Sequence, residues 1–217
     1  MRKNGEETRT VLDGMEIIQR NDFQNFTLDS VLLGDFVKIN RKTKKILDIG
    51  TGCGVISLIL AKKSKAEITG IELQEKMSEV AIRNVNNNNF QNCIRIINDD
   101  IKNISGDCLI DSINLNNHDM LLLVACPPCQ GFSSIGKGNS LDERNFLIFE
   151  YLRLIDEIRP PFILMENVSG IIRKKENNIF SKFIDNLKIE YDIKYEILNA
   201  ADYGVPQIRK RMVLHGV

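Results

Sequence analysis

Two periods of apolar and polar positions alternate along the 217 residues, and the switches between them mark out the elements. Near the start, Met15 to Phe26 (MEIIQRNDFQNF) reads as two short strands around the turn pair Asn21-Asp22. A helix over SVLLGDFVKI follows, with Val31, Leu32, Asp35 and Phe36 at helical spacing and Thr27 or Asp29 as its cap. KKILDIGTGCGVISLILAKKS is a strand, a glycine turn and an apolar helix. EITGIEL gives a second strand and EKMSEVAIRNV a helix. That helix runs out in Asn86 to Asn89, poor helix formers suited to a cap and loop. IRIINDDI is a third strand. Leu121 to Ala125 is an unbroken apolar run, the pattern of a strand buried on both faces, and Pro127-Pro128 stop it. Beyond it, LDERNFLIFEYLRLIDEIRP is an amphipathic helix with Phe146, Phe149, Leu152 and Ile155 inward. FILMENV is a fifth strand, NIFSKFIDNL a helix, and YDIKYEILNAADYG and KRMVLHGV a closing pair of strands. Strands alternating with helices give an α/β, Rossmann-like class: a mostly parallel seven-stranded sheet with helices on both faces. Residues 1–45 read as an N-terminal extension packing on the core, and 46–217 as the main domain.

Composition adds exclusions. Lys+Arg and Asp+Glu are equal at 29 each, so no global positive field advertises a nucleic-acid partner, and any such contact must be local. No apolar run approaches the about 20 residues of a membrane span, and MRKNGEETRT has no apolar signal segment. Five unpatterned cysteines fit a reducing compartment, so a cytoplasmic location is expected.

The turn Asp48-x-Gly50-x-Gly52-x-Gly54 between strand and helix is the beginning of a nucleotide-cofactor site, because glycines let the backbone approach a ligand closely. By itself it does not separate a dinucleotide from S-adenosyl-L-methionine. Glu72, at the end of the next strand, is placed to accept bonds from ribose hydroxyls. A carboxylate at Asp99-Asp100, closing the third strand, suits either an adenine amine or a helix cap. Cys129 follows the two prolines at the carboxyl end of the fourth strand, where open α/β sheets put their ligands. The glycine- and serine-rich run behind it, from Ser133 to Asn139, suits a closing flap, and the thiol is a candidate nucleophile. Cys126 and Cys129 also form a C-x-x-C. A redox pair would want a helix starting at the second cysteine, and zinc would need two more ligands that neither His118 nor His215 offers in a paired spacing.

Pro128-Cys129-Gln130-Gly131-Phe132-Ser133 resembles the nucleophile motif of the DNA cytosine-5 methyltransferases. Glu166-Asn167-Val168 resembles their Glu-Asn-Val motif, and Gln207-Ile208-Arg209-Lys210-Arg211 their Gln-x-Arg-x-Arg motif. The three stand in the family's order over about residues 98–217. The resemblance implies a methyl transfer from S-adenosyl-L-methionine to carbon 5 of a cytosine flipped out of duplex DNA, through a covalent adduct of Cys129. It implies Glu166 protonating ring nitrogen 3, which calls for a raised pKa, and Arg211 holding the carbonyl oxygen. Arg209 lies nearer the backbone and Gln207 supports the loop. It implies Asp100 and Ile101 at the adenine and Pro128 in the donor site, beside Asp48, Gly50, Gly52, Gly54 and Glu72. Residues 10–97 instead resemble the small adenine-N6 methyltransferases of tRNA, in FTLDSVLLGDF, ILDIGTGCGVISLIL and the helix ending in asparagines, with a seam at Asn98 to Asp100. The cytosine-5 family places an aromatic where Gly50 stands. It also continues into a target-recognition domain, so a catalytic half or a fragment, with a second chain carrying recognition, is expected. Two alternatives are an adenine-N6 methyltransferase acting on RNA, opposed by Cys126 and Cys129 in place of its asparagine and aromatic, and a non-catalytic cofactor-binding module.

Overall fold

Asp13 and Gly14 both take left-handed backbone, φ 49° and 78°, and close the first hairpin of the chain. Two such residues in a row match the twist of an antiparallel pair, so β1 (Glu7–Leu12) and β2 (Met15–Arg20) join tightly, with Leu12 opposite Met15. The expected turn at Asn21-Asp22 therefore does not separate two strands. It ends β2, with the Arg20 guanidinium on the Asp22 carboxylate at 2.7 and 3.0 Å. The computed structural model describes residues 7–23, 26, 28–116, 119–128, 147–173, 179–204 and 206–217. The chain falls into two compact units, residues 1–104 with 108–121, and residues 105–107 with 122–217.

In the first unit the hairpin leads into α1 (Leu28–Phe36), β3 (Thr43–Ile49), α2 (Val55–Lys63), β4 (Glu67–Glu72), α3 (Glu75–Asn87) and β5 (Ile94–Asn98). The strands run parallel in the order β5-β4-β3, with Ile46 beside Ile68 and Ile68 beside Ile94. Every residue of α2 from Val55 to Ala61 is buried, which is why its sequence is apolar all round rather than striped. Gly70 lies beneath the side chain of Thr51, where a Cβ would stand 2.8 Å from Thr51 Cγ2. Strand β4 can thus pass under the glycine turn only with glycine there. The extension does not stand apart: β1, β2 and α1 belong to this unit, and β2 and α1 pack on α3 and α2.

After β5 comes the short helix α4 (Gly106–Ser112), most of it in the first unit, which the apolar pattern did not mark. The second unit holds β6 (Met120–Ala125) from Leu122 onward, α5 (Leu147–Ile158), β7 (Phe162–Val168), α6 (Gly170–Arg173), α7 (Ile179–Leu187), β8 (Ile193–Asn199) and β9 (Lys210–Gly216). Strands β6 and β7 are parallel. β9 lies antiparallel between β7 and β8, leaving β8 outermost. Helix α5 buries Ile148, Tyr151, Leu152 and Ile155. Of its expected inward face, Phe149 is half-buried and Phe146 lies outside the described residues. The Tyr151 hydroxyl donates to the carbonyls of Leu123 (2.9 Å) and Leu164 (3.0 Å), fastening the helix across β6 and β7. The fold is thus α/β, with a mostly parallel sheet in which, among the described strands, β9 alone runs antiparallel, as the pattern implied.

Candidate functional site

The first unit carries a cradle at the carboxyl ends of its strands. Gly50, Gly52 and Gly54 have φ of 72°, 59° and 82°, a region side chains avoid, so the turn after β3 requires all three. A Cβ on Gly50 or Gly52 would meet nothing within 4 Å, so the turn faces open space. Asp48 does not face it. Its buried carboxylate accepts from the hydroxyls of Thr51 (2.7 Å) and Ser57 (2.7 Å), tying the turn to the first turn of α2. Burial pushes its pKa above the ordinary carboxylate value, against those two hydroxyl bonds. Cys53, inside the turn, is 3% exposed, and burial pushes its thiol up to about 12. That thiol is packing, as free buried cysteines commonly are.

Glu72 ends β4 with each carboxylate oxygen held by one backbone N–H, from Gly52 at 2.9 Å and Gln74 at 2.9 Å. Each oxygen keeps a second lone pair, so the pair can still accept from two neighbouring hydroxyls. The open glycine turn and this fixed carboxylate fit a nucleoside with a vicinal diol. Asp100 is half-buried and accepts from the Lys102 N–H at 3.0 Å, capping the turn that also holds Ile101. The backbone N–H of Asp99 donates to the Glu72 carbonyl at 3.1 Å, so Asp100 follows one residue from the end of β4. Asn98, which the pattern did not single out, reinforces this by donating to the carbonyls of Glu72 (2.8 Å) and Leu73 (3.0 Å).

The second unit carries the other half of the expected chemistry. Glu166 and Val168 lie on one face of β7. The register sets them opposite Val213 and Arg211 of β9, so Glu166 and Arg211 are diagonal neighbours. Their side chains meet: Arg211 Nε stands 3.1 Å from Glu166 Oε1, with both side chains largely buried at 19% and 14% exposure. Arg211 Nη1 also donates to the Lys210 carbonyl at 2.8 Å. Arg209 does not share the strand with Arg211. It is half-buried just before β9, its backbone N–H given to Asn199 Oδ1 at 3.0 Å. Gln207 is exposed. Asn167, 2% exposed, donates from Nδ2 to the Pro127 carbonyl at 3.2 Å, linking the strand end that bears Glu166 to the proline corner after β6. Pro128 is exposed at that corner and Cys126 half-buried. Cys129, the expected nucleophile, and the Ser133 to Asn139 flap lie outside the described residues. Among the described residues no group of His, Cys, Asp and Glu could hold a metal ion, and no helix is long and apolar enough to cross a membrane.

The family model described as C-5 cytosine-specific DNA methylase matches residues 44–217. The chain belongs to that family. The match begins at Lys44, just inside β3, and runs across Asn98 to Asp100, where the sequence pattern suggests a seam. With membership comes the use of S-adenosyl-L-methionine, for which the first unit's cradle is suited. The Type II methyltransferase M.XorII of Xanthomonas oryzae pv. oryzae is 36% identical over 131 residues, covering 59% of this chain and 31% of that protein. M.DdeI of Desulfomicrobium norvegicum, also a Type II methyltransferase, is 32% identical over 179 residues, 79% of this chain and 40% of its own. Among solved structures, Spodoptera frugiperda DNMT2 superposes with a TM-score of 0.61 at 23% identity, over 80% of this chain and 50% of that one, a likeness of fold. The chain spans about a third to a half of the length of the curated relatives it matches.

Proposed function

We propose that this chain carries the donor-binding and catalytic part of a DNA cytosine-5 methyltransferase. The observation that most supports it is the Glu166–Arg211 pair on adjacent strand ends, with Glu166 next in sequence to the asparagine that grips the proline corner leading to Cys129. Carbon 5 of cytosine is a weak nucleophile. Addition of the Cys129 thiolate at carbon 6 makes it an enamine carbon able to attack an electrophilic methyl. Glu166 serves ring nitrogen 3 and Arg211 the ring carbonyl, whose planar donor fork fixes the orientation of the base. Loss of the carbon 5 proton then lets the thiolate leave. Glu72 and the glycine turn hold the donor, Asp100 and Ile101 lie at its adenine, Pro128 borders it, and Asp48 keeps the turn in shape. S-adenosyl-L-methionine supplies the methyl group as a sulfonium.

The substrate in this reading is duplex DNA with the target cytosine flipped out, which costs a few kcal/mol. Recognition of sequence falls to a module on a partner chain or in the remainder of a longer chain. Residues 1–45 act as an extension packed on the donor-binding unit, and the setting is a Type II modification system in the cytoplasm. The test is trapping on duplex DNA containing 5-fluorocytosine, with and without a recognition partner. A covalent complex that disappears in Cys129→Ser is expected. Methyladenine in the nucleoside digest of treated RNA or DNA, with no methylcytosine, would overturn the assignment.

A further inference from the structure

Two asparagines one helical turn apart, Asn84 on α3 and Asn88 at its C-terminal cap, take the place of a neighbouring strand for β2. Asn84 Oδ1 accepts from the Ile18 N–H at 2.8 Å and its Nδ2 donates to the Ile18 carbonyl at 3.0 Å. Asn88 does the same two residues earlier, accepting from the Glu16 N–H at 3.0 Å and donating to the Glu16 carbonyl at 2.9 Å. A strand turns its backbone groups alternately to either side. Here both groups of Glu16 and of Ile18 go to side-chain amides of a helix rather than to backbone.

The two differ in what their remaining hydrogen does. Asn88 donates back to the Asn84 carbonyl at 2.8 Å, within its own helix end. Asn84 gives its second amide hydrogen to the Cys53 carbonyl, at 2.9 Å, in the middle of the glycine turn. Asn84 is 0% exposed, so its amide has no water to fall back on. One residue turn earlier on the same helix, Ala81 packs where a Cβ on Gly54 would stand 3.4 Å away. The glycine turn is thus set from one side by Asp48 and from the other by α3. The Asn84 amide is oriented by Ile18, which both donates to it and accepts from it.

We propose that Asn84 is a positioning residue for the methyl donor, holding the Cys53 carbonyl while β2 is seated on it, so that the β1–β2 hairpin is part of the donor-binding machinery. This rests on the reading of the first unit as a donor site and assigns it a component outside the family-matched residues 44–217. By linkage, whatever factor the seated hairpin adds to donor affinity, the donor must add to hairpin seating. The probe is S-adenosylhomocysteine, followed by calorimetry and by amide hydrogen exchange at Ile18, in the full chain and in Asn84→Ala and Asn88→Ala.

In the unsubstituted chain the probe is expected to slow exchange at Ile18. Asn84→Ala is expected to weaken binding about tenfold and abolish that slowing, the scale of one or two buried hydrogen bonds. Asn88→Ala, which grips β2 but not the turn, is expected to lower protection at Glu16 with at most about a threefold loss of affinity. Should Asn84→Ala not fold, Asn84→Ser replaces it, and exchange in the unsubstituted chain is an independent check. Equal weakening in both variants, unchanged affinity in the Asn84 variant, or exchange at Ile18 indifferent to the probe would overturn the inference while the donor reading stood. Failure of the unsubstituted chain to bind the probe would remove the donor reading and this inference with it.

Discussion

Replacing Glu166 with Gln and Arg211 with Met, singly and together, should reveal a coupling of about 1–3 kcal/mol between the ends of β7 and β9. The contact is 3.1 Å and the side chains are 14% and 19% exposed, so the pair is neither in open water nor sealed from it. At a charge separation of roughly 4 Å and an effective dielectric near 20, the gross attraction is about 4 kcal/mol. Ordering the two long side chains and stripping part of their hydration take back a share of that. Exposed pairs end at about 0–1 kcal/mol, and breaking a buried one costs about 3–5. The Gln variant keeps the shape and an acceptor, and Met keeps the aliphatic stem, so the cycle isolates the charge term. The chain has no tryptophan, so urea unfolding is best followed by far-ultraviolet circular dichroism. The coupling should survive 1 M salt, because screening acts weakly on a half-desolvated contact. A coupling below about 0.5 kcal/mol would place the pair with exposed ones and refute the arrangement on which the site is built.

Three further outcomes follow from the first unit. Gly70→Ala should destabilise the chain by about 1–3 kcal/mol, because the new Cβ would meet Thr51 and Ile96 at 2.8–2.9 Å and Thr51 anchors Asp48; calorimetric or urea melts check it, and a neutral substitution would contradict the packing. Asp48 keeps its proton to higher pH in the folded chain than in the unfolded one, whose value is near 3.8, so stability falls as pH rises from there toward the folded value. Asp48→Asn, which the same hydroxyls can bond, should gain on the parent as pH rises from about 4 toward neutrality; a gap independent of pH counts against the buried charge. In native protein at pH 8, iodoacetamide should leave Cys53 unlabelled, its thiol held up to about 12, while exposed Cys108 reacts; peptide mass mapping that found Cys53 labelled as fast as Cys108 would contradict its burial.

The order of elements was legible because parallel strands buried on both faces write themselves as apolar runs. FILMENV and β7 coincide residue for residue, and ILDIGTGCG placed the glycine turn. The hairpin leaves little trace in the sequence because β1 is an exposed strand. Thr8, Arg9 and Thr10 give no apolar alternation, and only the pair Asp13-Gly14 announces the turn. Helix α4 is seven residues long, too short for a helical period to register. The asparagine run reads as a cap and loop. Asn88 does cap α3, and Asn89 turns left-handed at φ 62°, but Asn88 also grips β2. The missed signal was a polar residue on an apolar stripe: Met77, Val80, Ala81, Asn84, Val85 share the buried face of α3. Pairing Glu166 with Arg211 needed the β7–β9 register, which no local pattern carries. The absence of an aromatic at Gly50 suggested a change of family within the chain, yet the family match runs through that turn.

Strand β8 lies at the rim of its sheet, and both its faces are partly open, with Tyr195 and Ile197 on one face 41% and 44% exposed and Lys194 and Glu196 on the other exposed too. Such a rim offers the chain's own copies a template on which to add, most of all while newly made chains are crowded together. Lys194 and Glu196, both exposed and interleaved with those apolar residues, oppose that addition, since an in-register stack of identical strands would bring like charges face to face. Lys194 and Glu196 thus guard the open rim beside the strand that carries Arg211.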